Sequence, residues 1–185
     1  MSVADDSARD AITADIEQMD AIIAQFLDYA RATSDEASAA VDIGQLLEEI
    51  AARYARLGAP LKLEDHDSLQ IPEVMLRPMA IRRAIGNLIE NARKYGGGDI
   101  TLRAHRTGET LTIEVLDRGP GIPAEEVERM KRPFTRLENA RTDAKGTGLG
   151  LAIVERIVRL HGGTMDLLPR EGGGMVAALR LPCRT

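Results

Sequence analysis

Asn87 and Asn91 stand one helical turn apart in the stretch NLIENARKYG, with Lys94 three residues further on, so all three share one face of any helix formed there. A solvated helix face is the bland reading. Asparagine is a mediocre helix former, however, and two in this register bring amide carbonyl oxygens together, the ligand type that a hard cation takes. A second cluster, DRGPGIP, ends an alternating run with Asp117 and follows it with Gly119 and Gly121. Most such stretches are simple turns. Glycines also let a backbone come close to a ligand, with Asp117 placed to accept a hydrogen bond from it. A third cluster, KGTGLGLAIVERI, puts Gly146, Gly148 and Gly150 at the head of an apolar helix, where unpaired backbone N–H groups suit phosphate oxygens. Each signal is weak alone.

The elements that must position these clusters follow from hydrophobic period and turn chemistry. In DIGQLLEEIAARYARLG, Asp42 is placed as an N-cap and Gly58 as a stop, with Ile43, Leu46, Leu47, Ile50 and Tyr54 on one face. LKLEDH alternates as a strand. From Arg77 to Tyr95, Met79, Ile81, Ile85, Leu88, Ile89 and Ala92 recur at helical spacing, and YGGGD ends the run. ITLRAHRTGETLTIEVLD reads as an antiparallel hairpin turning at Thr107-Gly108. A short helix from about Ala124, a polar stretch from Lys131 to Gly146, a helix from about Gly148 to His161 and strands near 164–168 and 175–181 complete the chain. The expected class is α+β: a two-layer sandwich of mixed, mainly antiparallel sheet with helices on one face.

Ahead of this lies a different texture. Ile12, Ile16, Met19, Ile23, Phe26 and Ala30 draw a four-three-four-three-four stripe, a coiled-coil seam that needs a partner. RATSDEASAAVD reads as a linker, so the expected organisation is a seam helix over 1–33, a linker over 34–41 and one domain over 42–185. Hydrophobic residues at 44% and charged residues at 29% describe an ordinary globular chain. A net charge of -5 gives no basic field for nucleic acid. The single Cys183 excludes an intrachain disulfide or a cysteine-rich zinc site. No apolar run approaches the ~20 residues of a membrane span, so no direct membrane contact is expected.

The glycine spacing is not that of a dinucleotide-binding fingerprint, and Lys145 precedes the glycines where a P-loop lysine follows them. In their order, though, the clusters resemble the ATP-binding catalytic domain of bacterial sensor histidine kinases, within the superfamily that includes Hsp90, DNA gyrase and MutL. The resemblance runs roughly from Asp42 to Pro182. It takes in an N box (Asn87 to Tyr95), a first G box (Asp117 to Gly121), an F box (Pro133-Phe134), a second G box (Gly146 to Gly150) and a looser glycine cluster at Gly172 to Gly174. It implies a Bergerat-type fold that binds ATP and Mg²⁺. Asn91 is the implied Mg²⁺ ligand, with Asn87 beside the triphosphate and Lys94 on a phosphate oxygen. Tyr95 is implied against the adenine and Asp117 as acceptor from its amine, with Gly119, Gly121 and Ile122 around the base. A lid runs from Phe134 to Lys145, and Arg136, Arg141 and Lys145 are its implied phosphate contacts. Gly146, Thr147, Gly148, Leu149 and Gly150 become the hinge and helix head beside the phosphates. Asn87, Lys94 and Arg136 are the residues implied to assist transfer. Hydrolases of the superfamily carry a water-activating glutamate where this chain has Asn87, which implies phosphoryl transfer rather than hydrolysis.

The seam then reads as the second helix of a dimerisation and phosphotransfer hairpin, and DIEQMDAIIAQFLDYAR and ARTDAKGTGLGLAIVERIV resemble EnvZ-type osmosensor kinases. Paired hairpins make a four-helix bundle. The resemblance therefore implies a homodimer, a response regulator as partner and a cytoplasmic portion of a parent anchored in the inner membrane. None of the three histidines fits the acceptor pattern. His66-Asp67 is followed by SLQ, His105 reads as a surface strand residue, and His161 as a helix-end cation favoured by the dipole. The expectation is a chain that binds ATP and takes its acceptor from a hairpin helix outside it. Two rivals share the boxes: a serine kinase of the anti-sigma-factor type, which lacks the seam helix, and a nucleotide-sensing module without transfer.

Overall fold

The computed structural model describes residues 36–64, 71, 73–135 and 147–183, together with Thr13, Ile16, Met19, Ile23 and Leu27. Strand β1 (Ala39–Val41) leads into helix α1 (Ile43–Arg56). Asp42 caps α1 as its type and place predict, its Oδ1 accepting from the Gln45 N–H at 2.9 Å. The chain leaves through Gly58 at φ +72°, a conformation open to glycine without strain. Then come β2 (Lys62–Glu64), β3 (Val74–Leu76), α2 (Pro78–Tyr95), β4 (Thr101–Thr107) and β5 (Thr110–Leu116). A 3₁₀ turn (Ala124–Glu126) runs into the short α3 (Val127–Met130), followed by α4 (Gly150–Leu160), β6 (Thr164–Pro169) and β7 (Met175–Pro182).

Five strands form one sheet in the order β2-β4-β5-β7-β6, with β2 parallel to β4 and the remaining pairs antiparallel. The hairpin closes one residue later than the expected Thr107-Gly108: Thr107 ends β4 opposite Thr110, and Gly108-Glu109 make the turn. Strand alternation sorts the two faces. Leu102, Ala104, Ile113, Val115 and Leu179 join Ile81, Ile85, Ile89, Ile153 and Ile157 of the helices in one buried cluster. On the other face the residues are polar, Arg103 pairing with the largely buried Glu114 and Arg180 with Asp166, and the helices lie against the apolar face. The class is the expected α+β sandwich with a mostly antiparallel sheet.

Two features differ from the sequence pattern. Strand β1, inside the stretch read as linker, pairs antiparallel with β3, Ala39 opposite Leu76 and Val41 opposite Val74. Three-residue strands are too short to leave an alternation signal. His161 is the second. Its Nε2 accepts the Arg77 N–H at 3.0 Å, and its Nδ1 stands 2.7 Å from the Ile157 carbonyl. An imidazolium has no lone pair to accept with, so the ring is the neutral Nδ1–H tautomer and not the expected helix-end cation. It staples the end of α4 to the start of α2. We expect His161→Ala to lose about 1–3 kcal/mol in chemical denaturation, because the Arg77 N–H is left without its acceptor. An unchanged midpoint would show that solvent replaces the ring.

Ile16, Met19 and Ile23 of the seam are helical and more than half exposed. Ile12, Phe26 and Ala30 lie outside the described residues, as does His66. No helix among the described residues is long and apolar enough to cross a membrane.

Candidate functional site

Helix α2 opens with Pro78, whose missing N–H and fixed φ suit a first helical position. It buries Ala80, Ile81, Ala84, Ile85, Leu88, Ile89 and Ala92, which leaves Asn87 and Asn91 on its flank. Helix α4 lies antiparallel along it. His161 at its end meets Arg77, and Gly150 at its head meets the asparagines, where an added Cβ would lie 3.4 Å from Oδ1 of each. The two motifs that suggested a cation and a phosphate are thus brought to one gap. Asn87 donates its amide to the Arg83 carbonyl at 2.9 Å, which commits the Nδ2 end and leaves Oδ1 toward α4. No side chain caps α4. Thr147 Oγ1 accepts from the Leu149 N–H at 3.3 Å, and the N–H groups of Gly150, Leu151 and Ala152 precede the first intrahelical bond, from Ile153 to Leu149. The head of α4 is therefore a set of backbone donors at the positive end of a helix dipole.

The approach to that head demands glycine at one point. Gly148 has φ +71°, and a Cβ there would fall 2.7 Å from the Thr135 carbonyl oxygen. Phe134 also adopts a left-handed φ of +61° with its ring exposed, a strained conformation for an aromatic residue. Arg136, Arg141, Lys145 and Gly146 lie outside the described residues.

At the other end of α2 sits Asp117, only 5% exposed. Its Oδ1 accepts from the Gly119 N–H at 2.9 Å and the Met175 N–H at 3.2 Å. Its main-chain carbonyl accepts from Arg170 Nη1 at 3.0 Å. Among the described residues nothing donates to Oδ2, so a buried carboxylate keeps one oxygen for an incoming N–H. The end of α2 folds onto this loop. The Arg118 N–H donates to the Gly96 carbonyl at 3.0 Å, and a Cβ on Gly96 would come within 2.6 Å of Asp117 Cβ. Arg118 Nη1 donates to the carbonyls of Glu171 and Gly173 at 2.9 and 3.0 Å, pinning the β6–β7 loop. That loop, Gly96, Arg170 and Met175 pack around Asp117; Arg118 falls within the first G box, but the others were not singled out in the sequence, because close backbone approach leaves no periodic trace. Only the glycine cluster at 172–174 hinted at it.

Just after this loop Gly121 turns the chain at φ +73° and Ile122 packs against the core. Tyr95 is 40% exposed, with Lys94 Nζ 5.4 Å from its ring centroid. Lys94 is therefore near the ring, and a phosphate contact would require its flexible stem to swing. Glu90 is committed elsewhere. Both its oxygens take Arg93 Nη1, at 3.1 and 3.2 Å. Burial, and then a hydrogen bond with Glu90, push the Tyr54 phenol up to about 12, so that phenol stays a donor.

The donor chemistry fits a cation delivered by its ligand. Asn87 and Asn91 offer neutral oxygens, and no group of three or more His, Cys, Asp or Glu residues among the described residues could hold a metal by itself. A Mg²⁺ that keeps phosphate and water ligands needs no more from the protein.

Residues 77–185 match the histidine kinase-, DNA gyrase B- and HSP90-like ATPase family. The histidine protein kinase DivJ of Caulobacter vibrioides is 41% identical over 105 residues, covering 56% of this chain and 18% of that protein. Full-length ShkA, solved in complex with AMPPNP, has a similar fold at a TM-score of 0.77 and 23% identity, covering 100% of this chain and 40% of that one. The histidine kinase domain of the E. coli osmosensor EnvZ is 33% identical at a TM-score of 0.61, covering 83% of this chain and 93% of that one. The chain spans less than half the length of the curated relatives it matches. The family match covers more than half of the chain, so the chain belongs to the histidine kinase-, DNA gyrase B- and HSP90-like ATPases, and its relatives group it with the ATP-binding catalytic domains of bacterial sensor histidine kinases.

Proposed function

We propose that the chain binds Mg-ATP between α2 and the head of α4 and donates the γ-phosphate to a histidine on a helical hairpin, for relay to an aspartate of a response regulator. The observation that carries this reading is the meeting at Gly150 of two asparagine carbonyls with an uncapped helix N-terminus. Asn91 is the proposed Mg²⁺ ligand, with Asn87 beside the triphosphate. Asp117 Oδ2 accepts from the adenine amine, and Tyr95, Gly119, Gly121 and Ile122 surround the ring. Lys94 swings to a phosphate oxygen. Phe134, Arg136, Arg141, Lys145, Gly146, Thr147, Gly148 and Leu149 frame the phosphates. Bound Mg²⁺ supplies charge neutralisation on the phosphate oxygens.

In the transfer, an imidazole nitrogen lone pair forms the N–P bond while the bridging P–O bond to ADP breaks. A neutral imidazole needs no base to become nucleophilic, whereas water or a serine hydroxyl does. An asparagine at position 87 cannot take a proton near neutral pH, and Glu90 is held by Arg93 and Tyr54. This favours histidine over serine and transfer over hydrolysis. His105, beside Glu114 on the outer sheet face, and His161, with both ring nitrogens engaged, are unsuited as acceptors. Exposed Ile16, Met19 and Ile23 support a homodimer through the hairpin helices, at about 1.5–3 kcal/mol for each large side chain fully buried. Likeness to the EnvZ domain supports an osmosensing parent anchored in the inner membrane, with this portion in the cytoplasm.

The test uses γ-labelled ATP. We expect Mg²⁺-dependent ATP binding, little label on the chain alone, and acid-labile label on an added hairpin that bears the acceptor histidine. Transfer there should be slow, because a tethered reaction has become bimolecular. Acid-stable label on serine would replace the reading with the serine kinase, and binding without any transfer would leave a nucleotide sensor. Strong label on the chain alone, abolished by His66→Gln, would refute the separate acceptor.

A further inference from the structure

The start of α2 has no local cap. Its N-cap residue Arg77 makes no side-chain bond to the helix, and Pro78 has no N–H. The next two backbone donors are taken by a residue of the linker ahead of the domain: Glu36 Oε1 accepts from the Met79 N–H at 2.7 Å and Oε2 from the Ala80 N–H at 3.0 Å. A carboxylate bound in this bidentate way also sits at the positive end of the helix dipole. Glu36 is held in place because β1, which begins three residues later, is laced to β3, the strand that feeds α2. The remaining donor at this end, the Arg77 N–H, goes to His161 of α4.

We propose that Glu36 is a positioning residue of the nucleotide site, holding α2 in register so that the linker ahead of the domain is coupled to Asn87 and Asn91. This rests on the Mg-ATP reading above. The physical path is short. Helix α2 is 18 residues long and packed along its length, so it moves as one body, and its clamped start and its asparagine flank belong to the same rigid element. Met79 is exposed, so water can reach the clamp and replace the carboxylate once it leaves. The seam helix lies before Glu36 in the chain, and among the described residues that follow it this carboxylate is the first side chain to bond to α2.

The control is another N-cap of the same chemistry. Asp42 caps α1, which carries none of the site residues. That helix meets α2 beyond its own first turn, through Glu49 with Arg82 and Tyr54 with Glu90, so Asp42→Ala removes a cap that itself makes no bond to α2. In the full chain, Glu36→Ala and Asp42→Ala are expected to lower the melting temperature alike. Only Glu36→Ala should weaken Mg-ATP binding, by roughly three- to tenfold, and speed amide exchange from Met79 onward through Asn87–Tyr95. Glu36→Gln keeps one acceptor oxygen and should fall between. By reciprocity, a saturating non-hydrolysable ATP analogue should slow exchange at Met79 and Ala80 in the parent chain and not in Glu36→Ala. Equal ATP affinity in parent, Glu36→Ala and Glu36→Gln, with faster exchange confined to Met79 and Ala80, would overturn the proposal and leave Glu36 a stability cap. If the parent chain binds no ATP, the Mg-ATP reading fails by itself. Exchange at Asn87–Tyr95 then decides: faster in Glu36→Ala supports the clamp, and unchanged refutes it.

Discussion

Asp117→Asn is expected to fold like the parent chain and to lose ATP by about two orders of magnitude, roughly 3 kcal/mol. The two carboxylate oxygens have different work. Oδ1 accepts from the Gly119 and Met175 amides, and an asparagine carbonyl placed there keeps both bonds. Oδ2 would become an amide donor facing the donor amine of adenine, and a buried polar group with no partner is worse than an absent one. Asp117→Ala is the poorer probe, because it orphans two backbone amides and confounds folding with binding. The swap also reverses the demand on the base: a 6-oxo purine presents an acceptor where adenine presents a donor. Inosine triphosphate should therefore bind Asp117→Asn more tightly than ATP does, with the order inverted in the parent chain. Calorimetry with both nucleotides measures this. Unchanged ATP affinity in Asp117→Asn would remove Asp117 from the adenine pocket.

Gly174→Ala should be nearly as damaging by a route that involves no ligand atom. Gly174 sits at φ +107°, and an added Cβ would lie 2.8 Å from Arg118 Cα and closer still to the Asp117 carbonyl oxygen. Those neighbours are backbone and cannot rotate away, so the loop must shift and carry Asp117 with it. We expect a loss of about 3–5 kcal/mol in urea denaturation, together with weakened ATP binding. Gly98→Ala separates the two causes. Gly98 has nearly the same φ, +104°, but nothing within 4 Å of an added Cβ. It should show only the conformational cost of an L-residue there, about 1–2 kcal/mol, with ATP binding unchanged. Equal losses in the two variants would mean that the approach of Gly174 to the Asp117 loop does not matter.

The sequence alone determined whatever short-range physics writes. Asp42 and Gly58 bounded α1 because capping needs only a side chain and its neighbours' amides. Gly108, with Glu109, closed the hairpin within one residue of where the sequence placed it because a tight turn is a local event, and the apolar stripe of α2 announced both its buried face and the flank left to Asn87 and Asn91. Glycine-led clusters were visible as types and spacings, and their order carried the resemblance to the kinase domain. What they share a gap with was decided in three dimensions. Gly150 meets Asn87 and Asn91 because α4 lies antiparallel on α2. Asp117 commits Oδ1 to protein amides because β7 runs beside β5 and brings the Met175 amide to it. Glu36 and His161 cap α2 from opposite ends of the chain, across sequence separations of 43 and 84 residues. A hydrogen bond of that span leaves no period and no neighbouring partner in the sequence. It exists only once the helices have been laid against the sheet, and it was that layering which turned His161 from an apparent helix-end cation into a neutral acceptor.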